Sequence, residues 1–180
     1  MPPARSNTIL DELERHYPDW QLNRSASNAI EACAYVIKDT TNASRLVFLA
    51  IDFLRYRENP YADEDRVRLR GEGINMVTGN IAEALMINAN VLHEHDIPLP
   101  ELLPPTLRRF SRHDHPAIRA LILERLPYLQ NRNPELGWDI FRRAMQNSSG
   151  LWRSAERCLY YAYHNHFEKV APLLDRICSE

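Results

Sequence analysis

The sequence predicts an all-α protein, and three observations support that prediction. Strong helix formers such as Leu, Ala, Arg and Glu are frequent, whereas only 5 of the 180 residues are Gly. Apolar residues recur at the three- and four-residue spacing of helices along most of the chain. No segment shows the alternating pattern of a half-buried strand. The length is sufficient for one domain with a sizeable core.

The first 60 residues are expected to form three helices, at residues 8–16, 25–39 and 43–58. Ser6 or Asn7 is the predicted N-cap of the first helix and Asn42 that of the third. The third helix is apolar around most of its circumference, so we expect it to be buried on more than one side. Residues 63–70 either begin another helix or form a loop that ends at Gly71 and Gly73.

From residue 73 the apolar pattern predicts three antiparallel helical hairpins. They pair residues 73–92 with 101–112, 116–130 with 134–146, and 151–163 with 167–177. Pro116 suits a first helical turn, whereas Pro127 should bend the last turn of its helix. Gly79 costs about 1 kcal/mol relative to Ala inside a helix. It therefore suggests the close approach of a neighbouring helix. A rigid Pro-rich connector is expected at residues 97–105.

The hairpins share a weak repeat. Glu83, Glu124 and Glu156 occupy similar places in the three first helices and are spaced 41 and 32 residues apart. This spacing is typical of two-helix repeats, which stack because one hairpin cannot bury both of its faces. The sequence therefore predicts an α-solenoid of stacked antiparallel hairpins. Residues 1–60 would form an N-terminal helical cap, continuous in one domain with the hairpins of residues 61–180.

The middle hairpin resembles HEAT and armadillo-type repeats. Asp114, Pro116, Ile118 and Arg119 follow the order that such repeats often show at the start of a helix. In the first hairpin Thr78 replaces the Arg, and the third hairpin lacks both the Pro and the Arg. The resemblance implies a HEAT-like, right-handed solenoid in which the Pro and Arg of the middle hairpin have structural roles. Arg119→Ala is expected to lower stability.

A second resemblance concerns residues 74–85, which end in Ala-Glu-Ala-Leu. This run is similar to the helical-repeat regions of large bacterial NTPases of the defence and signalling type. It implies a bacterial chain that is part of a larger protein or assembly.

The cysteines and the apolar runs predict a reduced, soluble, cytoplasmic protein. Cys33, Cys158 and Cys178 are too few and too scattered for a disulfide framework. The N-terminus lacks the apolar core of a signal peptide. The longest apolar run, residues 46–53, is interrupted by Asp52 and is too short to span a bilayer, so no membrane association is expected. Cys158 lies on an apolar stripe and is expected to be a buried, inert thiol.

Charge is distributed unevenly along the chain. Residues 1–103 contain 10 Lys/Arg and 16 Asp/Glu, whereas residues 104–157 contain 10 Arg and 5 acidic residues. Binding of a nucleic acid through this Arg-rich central region is therefore one alternative function. It would use Arg108, Arg109, Arg112, Arg119, Arg125, Arg132, Arg142 and Arg143. The overall pI of 6.4 and the acidic N-terminal half argue against it.

Six of the seven histidines occur in three His-x-His pairs. The hairpin arrangement places His93–His95 and His164–His166 at the ends of first helices, about 20 Å apart. His113–His115 lies at the opposite edge, so the pairs cannot share one metal ion. Histidines at helix C-termini also have a structural explanation in the helix dipole. We predict no metal site, cofactor or catalytic site, although a helical enzyme with an unrecognised site stays an alternative.

The best interaction candidates are aromatic residues and arginines of the last two hairpins, since Tyr, Trp and Arg dominate binding hot spots. They are Trp152, Arg153, Arg157, Tyr160, Tyr161, Tyr163, Arg142 and Arg143. Packing between repeats is the alternative role for the aromatic members. The resulting hypothesis is a non-enzymatic scaffold or sensor module that binds a protein partner or the remainder of a larger chain.

Overall fold

The structure, a computed structural model, describes residues 3–20, 22–58, 69–146 and 149–179. Its secondary structure in these ranges consists of helices, without a β-strand, which confirms the all-α prediction. The helices are α1 (Pro3–Arg15), α2 (Tyr17–Trp20), α3 (Arg24–Ala34), α4 (Thr40–Ile51), α5 (Leu69–Gly73), α6 (Val77–Glu94), α7 (Leu103–Phe110), α8 (Pro116–Arg132), α9 (Pro134–Ala144), α10 (Trp152–Ala162) and α11 (Phe167–Ser179). Short 3₁₀ turns at Asp52–Arg55 and Ser149–Leu151 follow α4 and precede α10.

The helices form two layers. One layer contains α3, α6, α8 and α10, each of which packs against the next. The other contains α4, α7 and α9, again with contacts between successive helices. Each first helix also contacts the second helix of its own pair, from α3–α4 to α10–α11. The pair α3–α4 thus has the same placement as the predicted hairpins, and α1 packs on both of its helices.

The N-terminal boundaries differ from the prediction. α1 begins at Pro3, not at residue 8, and Ser6 is buried inside the helix instead of capping it. α3 ends at Ala34, before the predicted end at residue 39. The reason is tertiary: the buried Asn88 of α6 donates its side-chain amide to the carbonyl oxygens of Ala34 and Ile37, both at 3.3 Å. The Ala34 carbonyl ends the helix and the Ile37 carbonyl follows the turn after it, and buried carbonyls at both places need such partners.

α4 is also shifted from its predicted position. The side chain of Asp39, and not that of Asn42, caps it by accepting a hydrogen bond from the Asn42 amide at 2.8 Å. The helix ends at Ile51 and tightens into the 3₁₀ turn, so it is shorter than expected. Burial on more than one side is confirmed, although Phe48 is 63% exposed.

The start of α6 is fixed by a contact with a residue that is distant in sequence. The predicted helix or loop at residues 63–70 falls largely outside the described residues, but α5 runs through both Gly71 and Gly73. α6 begins at Val77, not at residue 73, and its Thr78 amide donates to the Glu58 carboxylate at 2.6 Å. A carboxylate at this end is favourable because the helix dipole is positive there.

The C-terminal half follows the prediction closely. α8, α9, α10 and α11 lie within about two residues of their predicted bounds. α7 starts at Leu103, two residues after the start of the predicted hairpin range of residues 101–112 and inside the predicted connector, because Pro104 and Pro105 fit a first turn that needs no N–H donor. The rigid connector is correspondingly shorter than expected. α8 continues through Pro127 to Arg132.

The close approach predicted at Gly79 is confirmed. A Cβ atom at Gly79 would lie 2.0 Å from the carbonyl oxygen of Gly73, and one at Gly73 would lie 2.8 Å from that of Ala117. Glycine at both positions therefore lets α5 fit against α6 and the start of α8.

The start of α8 is held by side-chain contacts. His115 caps the helix, since its Nδ1 accepts a hydrogen bond from the Ala117 amide at 3.3 Å, while its Nε2 lies 3.3 Å from a Glu72 carboxylate oxygen. Arg119 donates to the carbonyl of Ala144, the last residue of α9, at 3.3 Å and to that of Gln146, two residues after the helix, at 3.0 Å. These contacts are consistent with a structural role for Arg119.

Candidate interaction surface

α10 lies at the end of the first layer and has one buried face. Ala155, Cys158 and Ala162 are small, are spaced at three and four residues, and are buried where α10 packs on α8. The Cys158 thiol donates to the Leu123 carbonyl at 3.0 Å, and burial raises its pKa. As expected, this thiol is buried and unsuited to act as a nucleophile.

A central groove of about 510 Å³ runs along the exposed side of the first layer, between α8 and α10 and the end of α6. Its lining is polar and aromatic and consists of Asn90, Glu124, Arg125, Pro127, Tyr128, Asn131, Arg157, Tyr161 and Asn165. Of the predicted interaction residues, Arg157 and Tyr161 belong to this groove.

An ion pair fixes the α6 side of the central groove. Arg125 donates through Nε and Nη2 to one oxygen of the nearly buried Glu83, at 2.8 and 2.6 Å. Partial burial lowers the pKa of Arg125, but the hydrogen bonds and charge of Glu83 outweigh it, and the pKa is raised. Asn90 adds a 3.0 Å hydrogen bond from its side chain to the Arg125 carbonyl. The position of Arg125 is therefore set by α6.

The α10 side of the groove is less constrained. Glu124 pairs with Arg70 at 2.8 Å, and burial raises the pKa of its carboxyl group although Arg70 and Arg157 oppose the rise. The Arg157 guanidinium lies 5.9 Å from the ring centre of Tyr161 and forms no ion pair with a described residue. Tyr161 is 56% and Tyr128 38% exposed. A cation and two rings are thus available to a ligand.

The exposed face continues onto α3. Burial raises the pKa of Glu31 and of Tyr35, and the charges of Glu83 and Arg125 act on both groups. Tyr35 is nevertheless 49% exposed. The face therefore carries exposed tyrosines from α3, α8 and α10.

A terminal groove of about 430 Å³ lies on the other side of α10, against α11. It is mainly apolar and is lined by Trp152, Arg153, Glu156, Leu159, Tyr160, Tyr163, His164, Val170 and Leu174. Tyr160 is 73% and Tyr163 42% exposed. Four predicted interaction residues therefore line this groove: Trp152, Arg153, Tyr160 and Tyr163. Arg157 and Tyr161 line the central groove on the other side of α10.

Arg142 and Arg143 lie elsewhere, on α9. Asp139 accepts hydrogen bonds from Arg108 at 2.6 Å and from Arg143 at 2.9 Å, and Arg142 lies 3.9 Å away. Burial raises the pKa of the Asp139 carboxyl group, but the hydrogen bonds and charges of Arg108 and Arg143 outweigh it and the pKa is lowered. The Arg108–Asp139 pair therefore connects α7 to α9, and Arg143 supports it by binding Asp139 from within α9.

Much of the Arg-rich central region is engaged inside the protein. Four of its arginines bind carboxylates and one binds main-chain carbonyls. These are Arg108, Arg125, Arg132, Arg143 and Arg119. The four carboxylates neutralise positive charge that a nucleic acid would need, and the carbonyls hold the Arg119 side chain inside the protein.

The histidine pairs lie as predicted at both edges of the first layer: His93 in the last turn of α6 with His95 as its C-cap, His113–His115 before α8, and His164–His166 after α10. Burial lowers the pKa of His93, His113 and His115. Among the described residues, no group of three or more His, Cys, Asp or Glu side chains could hold a metal ion. Within the same ranges, no helix has the length and apolar character needed to cross a bilayer.

The chain has no significant match among protein-family models, curated proteins or solved structures.

Sequence reasoning missed most of the central groove. The signal was present in the repeat, since Asn90 and Asn131 each follow a repeated glutamate by seven residues, Glu83 and Glu124. Two helical turns separate such positions, which places each Asn on the same face as its Glu. Tyr35 carried no comparable signal, because its helix ends earlier than the apolar pattern suggested.

Proposed function

We propose that this protein is a non-enzymatic helical-repeat module that binds a segment of another protein in the central groove. The two layers of paired helices support a HEAT-like α-solenoid. In such an arrangement one row of helices presents a continuous exposed surface. Here that surface carries an open groove.

The observation that carries the proposal is the set of exposed side chains between α8 and α10. Tyr128, Tyr161 and Arg157 lie together in the groove, and Arg157 has no ion pair with a described residue. Tyr and Arg are the residue types that contribute most to protein interfaces. Asn131 and Asn165 add amide donors and acceptors for main-chain groups.

The test is a selection of peptide ligands from a random displayed library against the whole chain. Tyr128→Ala and Tyr161→Ala should each weaken the selected peptides at least about tenfold, since both rings line the groove. The matched control is Phe48→Ala, which removes an aromatic ring from α4 in the other layer that is 63% exposed, against 56% for Tyr161 and 38% for Tyr128. Failure to select any ligand, or equal affinities for all three variants, would contradict the proposal.

A salt titration distinguishes the alternative partner. Binding to generic duplex DNA that falls steeply with salt, and that Tyr161→Ala leaves unchanged, would support the nucleic-acid hypothesis instead. The engaged arginines on α7, α8 and α9 favour the protein partner.

A further inference from the structure

We propose that the terminal groove is the docking site of a partner's amphipathic helix, which packs on α10 as α10 packs on α8. This inference rests on the repeat arrangement proposed above. It concerns a different surface from the central groove and a partner of defined pattern.

The terminal groove repeats a face that α8 already uses. When Glu124 is aligned with Glu156, residues of α8 correspond to residues of α10 that lie 32 positions later. Glu124, Pro127, Tyr128 and Asn131 of α8 line the central groove opposite α10. Their counterparts Glu156, Leu159, Tyr160 and Tyr163 line the terminal groove. α10 thus presents to the terminal groove the face that α8 presents to α10.

Residue differences between the aligned faces of α8 and α10 make the terminal groove more apolar than the central groove. Leu159 stands where α8 has Pro127, and Tyr163 stands where it has Asn131. Tyr160, the counterpart of Tyr128, is almost twice as exposed, at 73% against 38%. Burying these groups under a helix would remove a large apolar area from water.

The charges near the repeated glutamates indicate which residue the partner helix should carry. Glu83 of α6 binds Arg125 of the next helix at 2.6 Å, and the charge of Arg157 on α10 acts on Glu124 of α8. Arg157 stands one residue after Glu156, as Arg125 stands one residue after Glu124, so both arginines occupy the same repeat position, although the ion pair of Glu124 itself is with Arg70. Glu156 is exposed and has no ion pair with a described residue. The partner helix should therefore bring an arginine to Glu156.

The packing of α10 on α8 indicates which other residues the partner helix should carry. Small residues at Ala155, Cys158 and Ala162 let α10 approach α8 closely. The partner helix should carry a similar stripe of small residues beside its arginine. A second folded copy does not fit this description, because its own small-residue stripe is covered by α8.

A synthetic peptide of residues 149–179 carries the required stripe and arginine, and it serves as the probe. Fluorescence anisotropy under reducing conditions should show saturable binding of this peptide to the whole chain. Tyr160→Glu or Glu156→Arg in the protein should weaken binding at least about tenfold. Tyr161→Glu, on the opposite side of α10, is the matched control and should leave it unchanged.

A charge exchange tests the register. Protein with Glu156→Arg should recover binding, to within about threefold of the original affinity, when the peptide carries Arg157→Glu. Far-UV circular dichroism verifies that the variants fold, which their exposed positions favour.

Three outcomes would overturn the proposal. The first is the absence of saturable binding at millimolar peptide. The second is binding that Tyr160→Glu and Glu156→Arg do not alter, because the peptide would then be replacing α10 on α8. The third is a dimer of the chain in sedimentation analysis that Tyr160→Glu dissociates, which would assign the groove to a second copy. None of them depends on ligands of the central groove, so the two proposals fail separately.

Discussion

Replacement of Gly79 by Ala should destabilise the protein by about 2 kcal/mol. The added Cβ would lie 2.0 Å from the carbonyl oxygen of Gly73, where Cβ contacts below 3.0 Å essentially never occur. The two helices would have to separate by at least about 1 Å, and the obstacle is main chain, which cannot rotate away. Overpacking of this kind costs about 1–3 kcal/mol, and the severity of the overlap indicates the upper end. The better helix propensity of Ala returns at most about 1 kcal/mol.

Urea denaturation followed by far-UV circular dichroism measures this loss, and a thermal scan should show a Tm lower by about 4–8 °C. Gly71→Ala is the matched control, because its Cβ would meet no atom within 4 Å. It should leave stability unchanged or raise it by up to about 1 kcal/mol. A Gly79→Ala variant as stable as the original protein would refute the close approach of α5 and α6.

Three further substitutions test other contacts. Arg119→Ala should cost about 1–3 kcal/mol, because it removes hydrogen bonds to carbonyls at the C-terminal end of α9. Replacement of the exposed Arg112 by Ala should be neutral, and equal denaturation midpoints of the two variants would refute this prediction. A double-mutant cycle of Glu83→Gln and Arg125→Met should give a coupling energy of about 1 kcal/mol, because the arginine side chain is 40% exposed; additive losses would contradict the pair. Burial lowers the folded-state pKa of His115, so its contribution to stability is present above an unfolded-state pKa of 6.5 and is lost as pH falls below it. His115→Asn, which retains a cap acceptor, should therefore flatten the fall in unfolding free energy from about pH 7 to about pH 5, and an unchanged slope would argue against it.

The middle of the chain shows how much local sequence can predict. Pro116, the apolar stripe after it and Asn133–Pro134 defined the α8–α9 hairpin almost to the residue. These signals are local, since each acts within one or two helical turns. The same holds for Gly79, whose placement on a helix face correctly predicted a close contact.

The N-terminal boundaries could not be predicted because they depend on distant partners. The end of α3 is held by Asn88, which lies 54 residues from Ala34 and 51 from Ile37. The start of α6 is held by Glu58, 20 residues before Thr78. A capping signal of this kind is not contained in the neighbouring sequence.

In the candidate site, too, some features follow from local sequence and others depend on contacts between distant residues. The sequence by itself determined the helical class and selected the aromatic residues and arginines of α10, because composition and helical spacing are local properties. Only the tertiary structure decided that Tyr160 and Tyr161, adjacent in sequence, line different grooves. It also decided that Arg143 binds Asp139 and that Glu83 and Arg125 form one wall of the central groove. These outcomes depend on which helices become neighbours, and burial of apolar faces across the whole chain determines that.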